Sequence, residues 1–320
     1  MKKLLYLGLI LIGFLSLTAF SISFYRSLRL YILAPQPGPT LIYHFSLYIP
    51  DNRNSFFQGI IRGAEQAAAE LESALSIHSI DPAKNELEIA AFTGVDGIIV
   101  CPYLDDALAH RQLEKLRDFQ IPAVLINHNL PSEQPWPFIG INTFNMGQSI
   151  GQILPEDPLE KITLAVVYSD KAPGIYAERE LLEMGISSVL GDRLSGPIMS
   201  FRTNLNPLDA EALLVNIFRN PLIRRGSAIN TIVFTDPDDT IAASQTLVDL
   251  NLVGLIQIIG FGADPGVTES LRKGIVSASV VINSERIGYE AVHSLAALRT
   301  TGYTSASIDI GISIITGITE

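Results

Sequence analysis

Residues 95–102 read Val-Asp-Gly-Ile-Ile-Val-Cys-Pro, and residues 121–127 read Ile-Pro-Ala-Val-Leu-Ile-Asn. The short run of consecutive apolar residues in each stretch is typical of a strand that a parallel sheet buries on both faces. Residues 105–119, which separate the two runs, have the apolar spacing of a helix. The two stretches therefore predict a strand-helix-strand unit with a right-handed crossover.

The same alternation of strands and helices runs through the chain from Thr40 onward. The predicted strands cover residues 40–47, 75–80, 97–100, 123–126, 162–168, 198–201, 231–234, 256–261 and 276–281. The predicted helices cover residues 55–75, 84–92, 105–119, 175–190, 208–218, 239–250 and 286–298. This alternation favours an α/β fold, and about 280 residues of it exceed one hydrophobic core, so we expect two sheets.

The composition of the 320-residue chain excludes several classes of protein. The chain carries 22 Lys and Arg against 33 Asp and Glu, a net charge of −11. A chain this acidic does not attract a phosphate backbone, so we expect no nucleic-acid partner. The 48% apolar and 17% charged residues exclude disorder and a coiled coil. A single cysteine, Cys101, excludes an internal disulfide and a cysteine-built metal site.

Residues 1–25 are predicted to be a signal peptide or a membrane anchor. Two lysines precede residues 4–24, an uncharged run close to the ~20 residues that span the hydrocarbon core as a helix. The positive start favours a cytoplasmic amino terminus. Small residues at Ala19, Ser21 and Ser23 leave cleavage open as the alternative. In both cases we expect the rest of the chain to be extracytoplasmic, anchored to the cytoplasmic membrane or exported to the periplasm.

Residues 26–39 form a Pro-rich spacer between this segment and the folded part. The spacer ends in Ala-Pro-Gln-Pro-Gly-Pro, which cannot continue a helix. The folded part is therefore expected to begin near Thr40.

Several stretches of the folded part occur in an order that resembles a known family. They are Ile-Pro-Asp-Asn-Arg-Asn-Ser-Phe-Phe at 49–57, the runs at 95–102 and 121–127, Gly-Ile-Asn at 140–142 with Gly147 and Gly151, Ala-Glu-Arg at 177–179, and Ile-Gly-Phe at 259–261. Together they resemble the type I periplasmic sugar-binding proteins of the ribose-binding group. Effector domains of lac-repressor-type regulators share that fold. The resemblance extends from about Thr40 to the carboxyl end.

The resemblance implies the type I periplasmic-binding-protein fold, in which two Rossmann-like lobes with parallel sheets are joined by a three-crossing hinge. One N-terminal hydrophobic helix precedes them here. By that pattern the N-terminal lobe comprises residues 40–142 plus 283–304, and the C-terminal lobe comprises residues 143–282 plus 305–320. Independently of the family, ligands of open parallel sheets bind beyond the carboxyl ends of the strands.

Four residues match the sugar-binding positions of the family. Asn54, Phe56 and Phe57 match the asparagine and the two aromatic rings of the first strand-helix loop, and Arg179 matches an arginine of the second lobe. An aromatic ring covers the apolar face of a sugar, and a guanidinium donates to hydroxyl or carboxylate oxygens. The alternatives are that both phenylalanines are core residues and that Arg179 pairs with Glu178 or Glu180 at the surface.

Elsewhere the family pattern is not kept. Asn127-His128 stands in place of an Asp-Arg pair, Cys101 in place of an asparagine, and Pro237, Gly262 and Ile282 in place of further polar residues. Cys101 and His128 also fit structural roles. Four acidic residues lie nearby, Asp236, Asp238, Asp239 and Asp264, and Asp238 is the candidate replacement acceptor, although acids there commonly cap helices. The candidate ligand-binding residues are thus Asn54, Phe56, Phe57, Cys101, Asn127, His128, Arg179 and Asp238.

The sequence predicts a binding protein rather than an enzyme. It contains no nucleotide-binding glycine loop and no hydrolase nucleophile elbow, and its five histidines have no metal-binding spacing, so we expect no cofactor and no metal. We expect an extracytoplasmic solute-binding protein that captures a small polar, sugar-like ligand by lobe closure for the permease of an ABC-type importer. The alternatives are a membrane-tethered sensor acting with a separate membrane kinase or receptor, and a scaffold that binds a protein.

Overall fold

The computed structural model describes residues 13–26, 42–50, 54–81, 84, 86–102, 106–154, 161–170, 173–204, 208–219 and 229–317. The chain divides into two compact units, Met1–Leu41 and Ile42–Glu320. In the first unit residues 13–26 are helical, whereas residues 1–12 of the predicted anchor and residues 27–39 of the spacer lie outside the described residues. Among the described residues, no helix combines the length and the apolar character that crossing a membrane requires.

The second unit alternates strands and helices as the apolar runs predict. In chain order its described strands are β1 (His44–Ile49), β2 (Ala74–Ser79), β3 (Gly97–Val100), β4 (Ala123–Ile126), β5 (Phe138–Gly140), β6 (Leu164–Ser169), β7 (Met199–Thr203), β8 (Thr231–Phe234), β9 (Gln257–Phe261), β10 (Ala278–Ile282), β11 (Ser307–Asp309) and β12 (Ile312–Thr316). Its described helices are α1 (Ser55–Glu70), α2 (Glu86–Ala90), α3 (Asp106–Asp118), α4 (Thr143–Gln152), α5 (Pro173–Ala177), α6 (Arg179–Leu190), α7 (Asp209–Arg219), α8 (Pro237–Asp249), α9 (Pro265–Arg272) and α10 (Ser284–Thr301).

The strands form two six-stranded sheets. The first sheet has the order β11-β5-β4-β3-β1-β2 and is parallel throughout, and the second has the order β12-β10-β9-β8-β6-β7 with only β12 antiparallel to its neighbour. Every residue of β3, β4, β6 and β8 is buried, as expected for central strands covered on both faces. The predicted two-lobe α/β architecture is confirmed.

We call the first sheet with α1–α3 and α10 the first lobe, and the second sheet with α4–α9 the second lobe. The chain passes between the sheets after β5, after β10 and after β11. The third passage comes later than the boundary expected at residue 305, because β11 pairs with β5 in the first sheet. The turn that follows uses Gly311, whose φ of 71° is in the left-handed region that favours glycine.

Each lobe contains one helix pair whose backbones approach closely. A methyl group on Gly288 of α10 would lie 1.9 Å from the Ile60 carbonyl oxygen of α1, and one on Gly147 of α4 would lie 2.2 Å from the Leu182 carbonyl oxygen of α6. Only glycine fits at such contacts. These glycines therefore set the distance between the two helices of each pair.

Some elements differ from the sequence predictions. The helix predicted over residues 175–190 is broken into α5 and α6 at Glu178, which has a non-helical backbone and accepts a hydrogen bond from the Thr143 hydroxyl. The sequence did not predict β5, α4, α9, β11 and β12. The strands among them have only three to five residues, which is too short for a clear periodic pattern. Strand β5 is fully buried, whereas β11 and β12 at the sheet edges combine exposed and partly buried residues.

Candidate functional site

A small cavity lies between the lobes at the carboxyl ends of their strands. It measures about 10 Å³, room for about one water molecule, and adjoins a cleft of about 280 Å³. The cavity is lined by Asn54, Phe56, Asn127, Ile175, Thr235, Asp236, Pro237, Phe261 and Ile282. The edge at which ligands of parallel sheets bind is therefore shared by both lobes.

The first lobe supplies two loops to this cavity. Asn54 is the N-cap of α1, and its side-chain oxygen accepts a hydrogen bond of 2.9 Å from the backbone N–H of Phe56. This cap fixes the start of the helix and places the half-buried Phe56 ring against the cavity. Asn127 follows β4 directly with a φ of 61°, a conformation that asparagine tolerates better than most residues.

The second lobe supplies the junction between β8 and α8. Asp236 is 2% exposed, and its carboxylate accepts hydrogen bonds from the backbone N–H groups of Asp238 (3.0 Å) and Asp239 (3.2 Å). Pro237 occupies the first turn of the helix, where its missing N–H costs nothing. The sequence Asp-Pro-Asp-Asp is thus an N-cap signature that holds a carboxylate at the cavity wall.

Thr235 also belongs to this wall, but its hydroxyl has both of its roles filled within the second lobe. The hydroxyl donates to the Val167 carbonyl oxygen at 3.2 Å and accepts from the Ser169 N–H at 3.1 Å. Both partners are residues of β6, next to β8 in the sheet. The hydroxyl therefore ties the end of β8 to β6.

The backbones of the two lobes approach closely beside the cavity. Gly174 of α5 lies so close to the loop after β4 that a methyl group on it would be 1.8 Å from the Asn127 carbonyl oxygen. No side chain fits between the two backbones. The glycine therefore permits the lobes to approach each other at this point.

Phe57, Cys101 and His128 do not line the cavity, contrary to the expectation from the sequence. Phe57 is 1% exposed and packs in the core, with its ring centroid 5.3 Å from that of Phe56. Cys101 is fully buried, and burial raises the pKa of its thiol to about 12. His128 is buried, with its Nε2 atom 3.1 Å from the Asp106 carboxylate. All three side chains are buried in the protein interior, and none of them faces the cavity.

Arg179 and Asp238 are also outside the cavity lining. The half-exposed Arg179 side chain lies 3.6 Å from the Glu180 carboxylate, and its guanidinium is 5.4 Å from the centre of the Tyr176 ring. Asp238 is exposed at the first turn of α8. Asp236, which ends the loop after β8 and caps α8, supplies the carboxylate that lines the cavity in place of Asp238.

The match to known proteins agrees with this geometry. A family profile described as periplasmic binding protein domain matches residues 45–302, which is most of the chain. The chain belongs to this periplasmic binding protein family. Members of the family are extracytoplasmic binding proteins rather than enzymes. A search of curated protein sequences returns no match.

Solved structures show the same fold. A glucose-galactose binding protein from Geobacillus stearothermophilus is 23% identical with a TM-score of 0.72, over 86% of this chain and 97% of that one. A Caulobacter myo-inositol binding protein bound to myo-inositol is 19% identical with a TM-score of 0.74, over 89% and 95%. The structure titled XylFII-LytSN complex is 20% identical with a TM-score of 0.69, over 86% and 97%. The expected type I fold is confirmed.

The backbone explains one departure of this family member from the pattern of its sugar-binding relatives. Gly262, which stands where the resemblance implies an aspartate, has a φ of 82°. A methyl group there would lie 2.8 Å from the Pro237 side chain and 3.0 Å from the Asp264 carboxylate. An acidic side chain at Gly262 would therefore be strained in this conformation.

Three apolar wall residues of this binding protein were missed from the sequence as candidates. Ile175, Phe261 and Ile282 are 3%, 5% and 8% exposed, and each lies at the end of a strand or the start of a helix at the cleft. Their types match core residues, so composition carries no signal for them. The signal available was position: Phe261 ends the strand predicted over residues 256–261, and Ile282 directly follows the strand predicted over residues 276–281.

Proposed function

We propose that this protein is a solute-binding protein that captures a small polar, sugar-like ligand by closure of its two lobes, and that it serves an ABC-type importer. The observation that carries the proposal is the cavity whose walls come from the strand ends of both lobes. A ligand that contacts both walls favours the closed form because each lobe alone offers only part of the contacts. Structurally similar proteins that bind glucose and galactose or myo-inositol support a sugar-like ligand.

Four residues are the first candidates for ligand contact. Asn54, Phe56 and Asn127 represent the first lobe, and Asp236 represents the second. The amides offer donors and acceptors, the carboxylate offers acceptors, and the ring offers an apolar surface. Arg179 stays a candidate only if its half-exposed side chain turns toward the ligand.

A thermal-shift screen of the full-length protein tests this proposal. Sugars, polyols and nucleosides are added separately, and a ligand that binds only the folded protein raises the unfolding midpoint with concentration. We expect at least one sugar-like compound to raise the midpoint, and the Asn127→Ala and Asp236→Asn variants to reduce that rise. Leu255→Ala, at an exposed position outside the cavity, serves as the control. A rise that the two cavity variants leave unchanged would contradict the proposed site.

The second candidate is a membrane-tethered sensor that passes lobe closure to a separate membrane kinase or receptor. The uncharged run at residues 4–24 supports it, since an uncleaved helix would keep the protein at the membrane. The similar structure titled XylFII-LytSN complex shows this fold in assembly with another protein. Intact-mass measurement of the protein from the cell envelope separates the two candidates: retention of residues 1–25 favours the sensor, and their loss favours the importer protein.

A further inference from the structure

The amino-terminal end of the first sheet carries exposed apolar side chains. The sheet is parallel, so the segments that precede its strands all lie at this end, opposite the cavity. Phe92 precedes β3 and Phe119 precedes β4, and the two residues are 71% and 48% exposed. Two large aromatic side chains that precede neighbouring strands are therefore left in contact with water.

These two residues form a defined pair. Their ring centroids are 5.3 Å apart with an angle of 68° between the rings, an edge-to-face arrangement. Ile89 of α2 is also exposed, and its carbonyl oxygen accepts a hydrogen bond of 2.9 Å from the Phe92 N–H. We call Ile89, Phe92 and Phe119 the end patch. Exposed apolar residues that cluster in this way are typical of a surface that binds a protein or a membrane.

The chain enters the first lobe at the same end. Ile42, the first described residue of the second unit, stands two residues before β1 and donates a backbone hydrogen bond of 2.8 Å to the Glu72 carbonyl oxygen. The His44 N–H donates to the carboxylate of Asp96 at 2.8 Å, and Asp96 lies only four residues after Phe92. The chain that precedes Ile42 is therefore connected to the lobe at the end that carries the end patch, not at the cavity.

The connection to the uncharged run at residues 4–24 is short. Residues 27–41 separate the helical residues 13–26 from Ile42, and even fully extended they span at most about 50–54 Å. In the membrane-tethered form of the protein, this end of the first lobe is thus held close to the bilayer. A short tether gives an effective concentration of about 1 mM, so that even a weak contact between the lobe and the bilayer is populated.

The charges near the end patch favour an apolar contact. Two cations in the last turn of α3 are paired: Lys115 Nζ lies 2.5 Å from the Glu88 carboxylate, and the Arg117 guanidinium lies 2.8 Å from the Glu114 carboxylate. Cations that are already paired attract anionic headgroups less than free ones do. The contact is therefore expected to depend on the aromatic rings and not on the charge of the lipid.

We propose that the end patch inserts into the interfacial region of the bilayer that anchors the protein. The proposal rests on the membrane-tethered sensor, the second candidate function. Phenylalanine and isoleucine bury hydrocarbon surface at such an interface and need no hydrogen-bond partner there. The carboxyl ends of the first sheet, with Asn54 and Asn127, then face away from the bilayer, which leaves the cavity side open to solutes.

Tryptophan fluorescence of the full-length protein in phosphatidylcholine vesicles with brominated acyl chains tests the proposal. Ile89→Trp places a reporter in the end patch, and Leu255→Trp places a matched reporter at an exposed position of the second lobe. The buried native Trp136 contributes a background that the wild-type protein measures. We expect brominated lipid to quench Ile89→Trp and not Leu255→Trp. Equal quenching of both reporters, in protein that floats with the vesicles, would overturn the proposal.

Removal of the two rings provides the second test. In the Ile89→Trp protein, Phe92→Ser together with Phe119→Ser should lower the equilibrium constant for the contact about tenfold or more, because the rings supply the apolar burial. Leu255→Ser in the same reporter protein is the control and should change nothing. Quenching should persist at about 0.5 M salt, where surface charges are screened. Quenching that the salt abolishes, or that the loss of both rings leaves unchanged, would overturn the apolar contact.

Flotation with the vesicles separates the proposal from the tether on which it rests. Full-length protein that stays out of the vesicle fraction would remove the tether, and the inference would fall with it. Protein that floats while Ile89→Trp stays unquenched would overturn the inference alone and leave the sensor candidate standing. A dimer of that protein in detergent, lost on removal of the two rings, would then assign the end patch to a contact between two copies.

Discussion

Replacing Gly174 with alanine is expected to hold the lobes apart while each lobe stays folded. The new methyl carbon would lie 1.8 Å from the Asn127 carbonyl oxygen, and contacts of this kind are not found below 3.0 Å. Since both partners are backbone, the lobes must separate by the difference, about 1.2 Å, to relieve the clash. The clash lies between lobes, and alanine is the better helix former by up to ~1 kcal/mol, so neither lobe should lose stability.

The expected loss of affinity follows from this separation. A hydrogen bond near 2.9 Å that lengthens by about 1.2 Å is no longer a hydrogen bond. Losing two such bonds between a ligand and one wall costs about 1–3 kcal/mol, so binding should weaken about five- to 150-fold. Gly196→Ala is the matched control, because a methyl group at Gly196 meets nothing within 4 Å.

Spin labels on the two sides of the cleft measure the separation directly. Cysteines introduced at the exposed positions Glu65 of α1 and Thr268 of α9 carry the labels, since we expect the buried thiol of Cys101 not to react. With saturating ligand, Gly174→Ala should give a longer distance than the wild type and Gly196→Ala. Equal distances and equal affinities in all three proteins would refute the role assigned to the Gly174 contact.

Three further predictions test neighbouring features. Phe57→Ala should lower the free energy of unfolding by about 3–5 kcal/mol in denaturant titrations because the ring is buried, whereas Phe56→Ala should mainly weaken ligand binding. Asp236→Ala should cost about 1 kcal/mol of stability by removing a helix cap that Asp236→Asn preserves, as thermal melts would show. Cys101 in the folded protein should resist thiol reagents at pH 8 and react once urea unfolds the chain, as mass spectrometry would show. Because burial raises the pKa of this thiol to about 12, its contribution to the free energy of unfolding should be lost as the pH rises above about 8.5 toward 12.

Three central strands, β3, β4 and β8, were predictable to the residue, whereas the edge strands β11 and β12 were not predicted. Residues 97–100, 123–126 and 231–234 are buried on both faces, and a strand in that environment must be apolar at every position. Strand β11 has one half-buried residue between two exposed ones, so burial leaves almost no pattern in its sequence. The late third passage between the sheets was missed for the same physical reason.

The polar part of the site was partly predictable. Asn127 follows β4 directly, and Asn54 caps the helix that comes after β1, so both lie at the carboxyl ends of strands and line the cavity. For the acidic residue, the sequence offers three carboxylates around Pro237, and the preference of proline for the first helical turn marks Asp236 as the cap, which is the one that lines the cavity. Arg179 was assigned by resemblance alone, and the break at Glu178 places it at the start of a separate helix.

Closure and specificity depend on different parts of this protein. The contact between Gly174 and the Asn127 backbone involves no side chain of the cavity wall, so it sets how close the lobes come whatever the ligand is. Ile175 and Ile282 line the cavity, and we expect them to influence which ligand it accepts. A ligand shifts the lobes toward the closed form only by the contacts it makes there and not in the open form. Because Ile175 and Ile282 are apolar, we expect part of those contacts to come from buried hydrocarbon surface.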